Sequence, residues 1–244
     1  MRVLKFGGSS LSSPEKIKSI AKKLSEIHKS GEQLIVVVSA MGSTTDELTR
    51  LAHEVSEKPA SREMDMLMTA GERVSMALLC MALNDLDTPA ISFTGSQAGI
   101  MTDSSHQGAN IMEIKPIRID EAIKENKLVV LAGFQGVDPK TKEVTTLGRG
   151  GSDTTAVAMA AHFNVATCEM YKDVKGVYSQ DPNQNNDAQF YPQISHAELL
   201  KLCNDGAQVV HERAVKMAQD KNIEIAIGLS ETMEIGTKVK SNDS

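Results

Sequence analysis

The stretch Thr145–Ala156, TTLGRGGSDTTA, sets Gly148, Gly150 and Gly151 around Arg149, then adds Ser152 and Asp153 before a run of small helix-forming residues. A second turn, KFGGSS over Lys5–Ser10, places Gly7 and Gly8 directly after Lys5 and Phe6. Glycine weakens regular structure, so such clusters mark places where the backbone turns sharply or something approaches it closely. Backbone N–H groups freed at such turns and at helix N-termini bind anions, because they are unpaired donors at the positive end of the helix dipole. With the charge of Lys5 added, the two turns outline a phosphate site; the plain alternative for each is an ordinary surface turn. Neither is one of the common phosphate loops. There is no G-x-x-x-x-G-K-[ST], Asp153 stands where the dinucleotide fingerprint needs its third glycine, and the protein-kinase catalytic-loop set is absent.

The elements that must position these turns follow from periodicity. Val3–Phe6 reads as a strand, and SSPEKIKSIAKKLSEIHK reads as a helix with Ser12 or Ser13 as cap, Pro14 in the first turn and Ile17, Ile20, Leu24 and Ile27 on one face before Gly31. The continuous run Leu34–Val38, LIVVV, suggests a strand covered on both faces, as in a parallel sheet. The pattern repeats, with strands at Ala90–Phe93, Leu128–Ala132, Thr167–Tyr171 and Ile223–Ile227. Helical patterns fall at Arg62–Leu86, Ile119–Asn126, Ser152–Phe163 and His196–Cys203. The result is an α/β sandwich. In the Arg62 helix, Met64, Met66, Met68, Met76 and Met81 are assigned to core filling. The polar stretches GSQAGIMTDSSHQGAN and VDPKTKEVTT read as hairpins or flaps, His106 as a solvated loop residue, and the C-terminal KVKSNDS as frayed.

Composition narrows the function classes. At 244 residues, 41% hydrophobic and 24% charged, the chain can bury a sizeable core. A net charge of −6 with 3% aromatics argues against a nucleic-acid partner, which needs a basic face and stacking side chains. Cys80, Cys168 and Cys203 are far apart and without metal-ligand spacing, so buried thiols in a reducing compartment are expected and no metal site is assigned. No signal-peptide stretch or run of membrane-spanning length is read, and a cytoplasmic location is expected.

KFGGSS, VVVSAMGSTTDEL, TAGERVS, SFTGSQAG, AGFQG, TTLGRGGSDTTA and DVKGVYSQDP occur in one order and spacing. In this the chain resembles bacterial aspartate kinases of the amino acid kinase superfamily, from Met1 to about Val239. The resemblance implies a three-layer αβα sandwich with a mostly parallel central sheet, the amino acid kinase or carbamate kinase-like fold. It implies one catalytic domain over residues 1–240, amino-acid-binding in its N-terminal half and nucleotide-binding in its C-terminal half; no regulatory domain is read in this chain, which is either a bare catalytic domain or a truncated one. It also implies phosphorylation of the L-aspartate side-chain carboxylate by ATP with Mg2+, the entry to lysine, threonine and methionine synthesis. By the same resemblance Lys5 contacts the transferring phosphoryl group, Gly7, Gly8 and Ser10 surround the phosphates, and Asp153 organises the cations around them. Arg149 binds the substrate α-carboxylate, which its planar fork matches, and Glu72 pairs with the α-ammonium, although a solvated helix carboxylate is its plain alternative. Thr45, Phe134 and Ser152 match further substrate contacts, and Asp173 and Tyr178 match nucleotide contacts.

Departures from the pattern keep other readings open. Asn183, Gln189 and Gln208 stand where relatives commonly have Arg or Lys near the nucleotide, and Glu212 replaces a proline. Relatives usually continue into regulatory modules. The alternatives are a non-catalytic aspartate-binding or regulatory subunit on the same fold, or a kinase for another acidic amino acid. A homo-oligomer is expected, with a separate regulatory subunit left open as a partner.

Overall fold

A computed structural model of the chain describes residues 1–180, 187–206 and 209–241. In chain order the elements begin with β1 (Arg2–Phe6), α1 (Pro14–Lys29), β2 (Leu34–Val38), α2 (Thr44–Val55), α3 (Ser61–Asn84) and β3 (Ala90–Phe93). There follow β4 (Ile100–Thr102), β5 (Ile111–Ile114), α4 (Ile117–Lys124), β6 (Leu128–Ala132), β7 (Gln135–Val137), β8 (Val144–Thr146), α5 (Gly151–His162) and β9 (Thr167–Lys172). The last are β10 (Val177–Tyr178), β11 (Phe190–Tyr191), β12 (Gln193–Ser195), α6 (His196–Asn204), α7 (Glu212–Asp220), β13 (Glu224–Leu229) and β14 (Glu234–Lys240).

The central sheet has eight strands in the order β12-β14-β13-β9-β1-β2-β6-β3. Its neighbours are parallel except for the antiparallel pair β13 and β14. Side-chain alternation sends Val3, Ile35, Val37, Val129, Leu131, Cys168 and Met170 to one face, against α5 and residues of α6 and α7. Leu4, Phe6, Val36, Val38, Val130 and Tyr171 go to the other, against α1 and α3. Every central strand is thus covered twice, which is why LIVVV is apolar at each position and buried at each position. The predicted three-layer αβα sandwich is what the chain forms.

Helix α1 begins where its signals place it: Ser13 accepts a hydrogen bond from the Lys16 N–H at 3.4 Å, with Pro14 in the first turn. Helix α5 is buried from Gly151 to Ala160, which explains its lack of a polar face, and its alanines let it lie close on the sheet.

Several expectations need correction. The two polar stretches are hairpins, as one of the two readings had it, with β4 antiparallel to β5 and β7 to β8, but they are not separate: they join as a second sheet, β5-β4-β7-β8, because Met101 in one lies beside Val137 in the other. Lys238–Lys240 are not frayed but belong to β14, where Val239 is fully buried against β13 and β12. Of the methionines in α3, Met64 and Met76 fill the core, while Met66 and Met81 are exposed at 40% and 61%. By length and composition α3 is also apolar enough to cross a membrane, which the search for long runs overlooked. It instead packs into this fold and buries Asp65, Thr69, Glu72 and Ser75 on one side. Helix α2 is not among the expected helices, although Leu48, Leu51, Ala52 and Val55 recur at helical spacing, and it has no buried residue. Cys80 and Cys168 are buried and Cys203 partly so.

Candidate active site

The two glycine turns meet across one cavity of about 730 Å³ at the carboxyl ends of β1 and β2. On its wall lie Lys5, Gly8, Thr45, Glu72, Phe134, Arg149, Ser152 and Asp153, eight of the residues singled out in the sequence. Gly7 adjoins it, since a Cβ there would stand 3.8 Å from Lys5 Nζ. Ser10 lies in the 3-10 turn that follows, its Oγ buried with no hydrogen-bond partner among the described residues. Asp173 and Tyr178 do not line the cavity. Asp173 is exposed just after β9, and Tyr178 in β10 packs its ring 5.1 Å from that of Phe190.

Local backbone demands explain the turns. A side chain at Gly8 would bring Cβ within 2.7 Å of the Ala40 carbonyl oxygen, so the loop after β1 could not lie against the loop after β2. Gly150, the N-cap of α5, has φ +69° and comes so close to His211 that a Cβ would meet its Cβ at 2.0 Å. Phe134 also has positive φ, +70°, an outlier for a bulky residue. It is held there by donating its N–H to Thr155 Oγ1 at 3.2 Å and accepting from the Leu147 N–H at 2.8 Å. Such strain costs about 1–3 kcal/mol and persists only where surroundings over-determine it.

Charge is distributed unevenly over the cavity. Lys5 Nζ lies 2.6 Å from Asp153 Oδ1, with both side chains 6% exposed. Asp153 is the third residue of α5, where the helix dipole favours an anion. Burial alone would push its carboxyl up, but Lys172 and Lys5 together hold it well below the ordinary carboxylate range. Glu72 is not a solvated helix carboxylate: it is 4% exposed. Its Oε1 accepts the Ala40 N–H at 3.1 Å, while Oε2 has no hydrogen-bond partner among the described residues. Burial pushes this carboxyl up to about 7, against the opposing pull of backbone donors and Lys5. Arg149 is exposed, and its guanidinium takes part in no hydrogen bond or ion pair among the described residues. One wall therefore carries a cation with free donors, and another a buried carboxylate oxygen with free acceptor capacity.

Three contributors escaped the sequence reading. Lys172, at the end of β9, lies 3.5 Å from Asp153 Oδ2. Asp65 on α3 accepts from the Thr146 hydroxyl and the Gln107 N–H and pairs with His106 Nδ1 at 2.7 Å, so His106 is not a free loop residue. Arg213 braces the same region, donating to the carbonyl oxygens of Leu147 and Ala109, the latter at 2.9 Å. A signal existed for two of them. Asp65, Thr69 and Glu72 recur at i, i+4 and i+7 in an otherwise apolar helix, which puts them on one face. Lys172 shares the parity of Cys168 and Met170 in a strand whose core face they define. Among the departures, Gln189 is exposed and donates its N–H to Ser179 Oγ at 2.9 Å, and Glu212 opens α7. Asn183 and Gln208 lie outside the described residues.

The model of the amino acid kinase family matches residues 1–228. The aspartokinase of Corynebacterium glutamicum is 48% identical over 237 residues, which are 97% of this chain and 56% of that protein. The aspartate kinase structure from Synechocystis superposes with a TM-score of 0.86 at 44% identity, covering all of this chain and 40% of that one. The structure of E. coli aspartokinase III in complex with aspartate and ADP gives a TM-score of 0.88 at 22% identity, covering all of this chain and 65% of that one, a likeness of fold. The chain spans little more than half the length of the curated relatives it matches.

Proposed function

This chain belongs to the amino acid kinase family, and from that premise we propose that it transfers the γ-phosphoryl group of ATP to the side-chain carboxylate of L-aspartate. The products are 4-phospho-L-aspartate and ADP: a carboxylate oxygen forms a bond to the γ-phosphorus as the bond to the ADP oxygen breaks. The observation that carries this reading is the cavity wall itself, where the unpaired Arg149 guanidinium and the unpaired Glu72 Oε2 face one space that also holds Lys5. A zwitterion bearing a second carboxylate complements that set. The identity to aspartokinases over nearly the whole chain supports the same substrate.

Phosphoryl transfer asks the protein mainly to align two anions and to neutralise the charge between them. Arg149 grips the α-carboxylate with its fork, Glu72 takes the α-ammonium, and Thr45, Phe134 and Ser152 fix the remaining orientation. That leaves the side-chain carboxylate directed at Lys5, which stabilises the transferring group while Asp153 holds its ammonium in place. The Gly8 N–H, the Ser10 hydroxyl and the α5 N-terminus receive phosphate oxygens, while Gly7, whose N–H is donated to the Tyr171 carbonyl oxygen at 3.1 Å, lets them approach the backbone. Asp173 and Tyr178 contact the nucleotide, so the amino acid occupies the N-terminal half and the nucleotide the C-terminal half of residues 1–240.

No group of three or more His, Cys, Asp or Glu side chains that could hold a metal exists among the described residues. Magnesium belongs to this reading as the counter-ion of the nucleotide, which neutralises phosphate charge.

An ADP-release assay with aspartate, glutamate and N-acetylglutamate in parallel tests the proposal. Turnover with aspartate alone is expected; ADP release only with another acceptor, or none although aspartate binds, would replace it with a different kinase or a non-catalytic subunit. Calorimetry with aspartate on Arg149→Ala and Glu72→Gln should show weakened binding in both, because each leaves a substrate charge unpaired.

A further inference from the structure

Lys5 and Lys172 flank the point at which the sheet changes direction. From β1 the chain proceeds to β2 and then to β3 and β6 on one side, whereas β9 and β13 build the sheet on the other. Ligands of open α/β sheets bind beyond the carboxyl ends of the strands at such a switch point. The register pairs Lys5 with Met170, so Lys172, two residues on, lies on the same face of the sheet as Lys5 and one step further toward the carboxyl edge. That face is the one α5 covers, and the first turn of α5 supplies Asp153 between the two lysines.

The charges there do not cancel. Asp153 gives Oδ1 to Lys5 at 2.6 Å and Oδ2 to Lys172 at 3.5 Å, and Oδ2 also receives the His211 N–H at 3.4 Å. Two ammonium groups thus share one carboxylate, and among the described residues the other acid acting on Lys172, Asp173, is exposed. At 3.5 Å the contact with Asp153 is a loose one that leaves the ammonium with donors to spare. Burial pulls the Lys172 ammonium below its ordinary range, so its charge there is costly until an anion meets it. The Lys172 side chain is 15% exposed, and it is absent from the cavity wall on which Lys5 and Asp153 lie. Its ammonium is joined to the site through Asp153, whose other oxygen holds Lys5.

We propose that Lys172 is a second phosphate-binding cation, which donates to the phosphate chain of the nucleotide and shares Asp153 with Lys5 so that the two ammonium groups are held in fixed relation. This rests on the kinase reading above for the identity of the anion, and it makes β9, not only β1 and the glycine turns, part of the phosphate site. It also supplies a positive charge in the half of the molecule where Asn183, Gln189 and Gln208 supply none.

The test is calorimetry of the intact chain with magnesium and each of adenosine, AMP, ADP and ATP, on the wild type, Lys172→Met and Lys172→Arg, with melting temperatures measured alongside. Loss of a charge-assisted contact should weaken ADP and ATP binding about 10- to 100-fold in Lys172→Met. Adenosine should be unaffected, and Lys172→Arg should recover most of the loss. A role confined to holding α5 in place would move all four ligands together, and that result would overturn the proposal. So would ADP and ATP affinities within about twofold of wild type, or a wild type that binds neither. Aspartate binding and turnover are read separately on the wild type. If ADP binding depends on Lys172 but aspartate is not phosphorylated, the substrate assignment fails and the phosphate site stands.

Discussion

The Thr146 hydroxyl donates to Asp65 Oδ1 at 2.5 Å across 81 residues of sequence, and so ties the strand that leads into the Arg149 turn to the helix that carries Glu72. The same carboxylate receives the Gln107 N–H at 3.1 Å and pairs with His106, which adds the loop between β4 and β5 to the clamp. One fully buried acid thereby sets the spacing of the two groups proposed to grip the ends of the amino acid.

Asp65→Ala should therefore destabilise the fold and loosen the substrate pocket together. Leaving the Thr146 hydroxyl and the Gln107 N–H unpaired costs about 1–3 kcal/mol, seen as a lower melting temperature, and aspartate affinity should fall although Asp65 touches no substrate. A lowered melting temperature with unchanged aspartate affinity would show that the Arg149 turn is held by other contacts, Arg213 foremost.

Glu72 should make both stability and binding depend on pH. Its folded carboxyl stands near 7 against an ordinary 4.5, because burial penalises the charge, so between those values the folded protein keeps a proton that the unfolded chain has released. The stability contributed by this group is present below the lower value and is lost as pH rises through about 7. Glu72→Gln should flatten that fall in melting temperature. Binding of the aspartate ammonium should favour the ionised form and release a proton, so wild-type affinity should rise from about pH 6 to about pH 8. Calorimetry in buffers of different ionisation enthalpy measures the release; none near neutrality would separate Glu72 from the ammonium.

Lys5→Met should lower kcat by about 10²–10³-fold, the loss typical of one preorganised donor at the reacting centre. Aspartate affinity should stay nearly intact, since the amino acid is gripped elsewhere. Turnover within about threefold of wild type would remove Lys5 from the chemistry.

Replacing Asn183→Arg or Gln189→Lys, positions proposed to serve the nucleotide and not the transferring group, should lower the KM for ATP more than it alters kcat. Gln189 is exposed, so solvent screening keeps its effect to about 1 kcal/mol or less. Steady-state kinetics at fixed saturating aspartate decide this; a change in kcat alone would place the substituted position at the reacting centre.

Much of the architecture was legible in the chain itself. The strands at Leu34–Val38 and Leu128–Ala132 declare themselves because a position buried on both faces of a sheet tolerates only apolar residues, whatever surrounds it. Gly8 and Gly150 are equally local statements, since each marks a place where a Cβ has no room. Lys5 and Arg149 are found beside them for that reason. Helix α2, by contrast, buries nothing, although Leu48, Leu51, Ala52 and Val55 recur at helical spacing, and the four-stranded sheet is invisible because β4 and β7 meet only after the chain between them has folded.

What tertiary structure alone decided is the state of the charges. Sequence shows an acid at Asp65, at Glu72 and at Asp153, and family resemblance gives roles to the last two, but nothing along the chain tells how each is buried or paired. The fold turns the first into a clamp among Thr146, Gln107 and His106. It strips the second of water so that its charge is costly and available, and it sets the third between Lys5 and Lys172, so that burial no longer keeps it protonated. Each outcome depends on which groups from distant parts of the chain come within a few ångströms, and on how much solvent remains there. Electrostatic energy varies with both distance and dielectric, and neither quantity exists along a sequence until the sheet has brought β1, β9 and α5 to one edge.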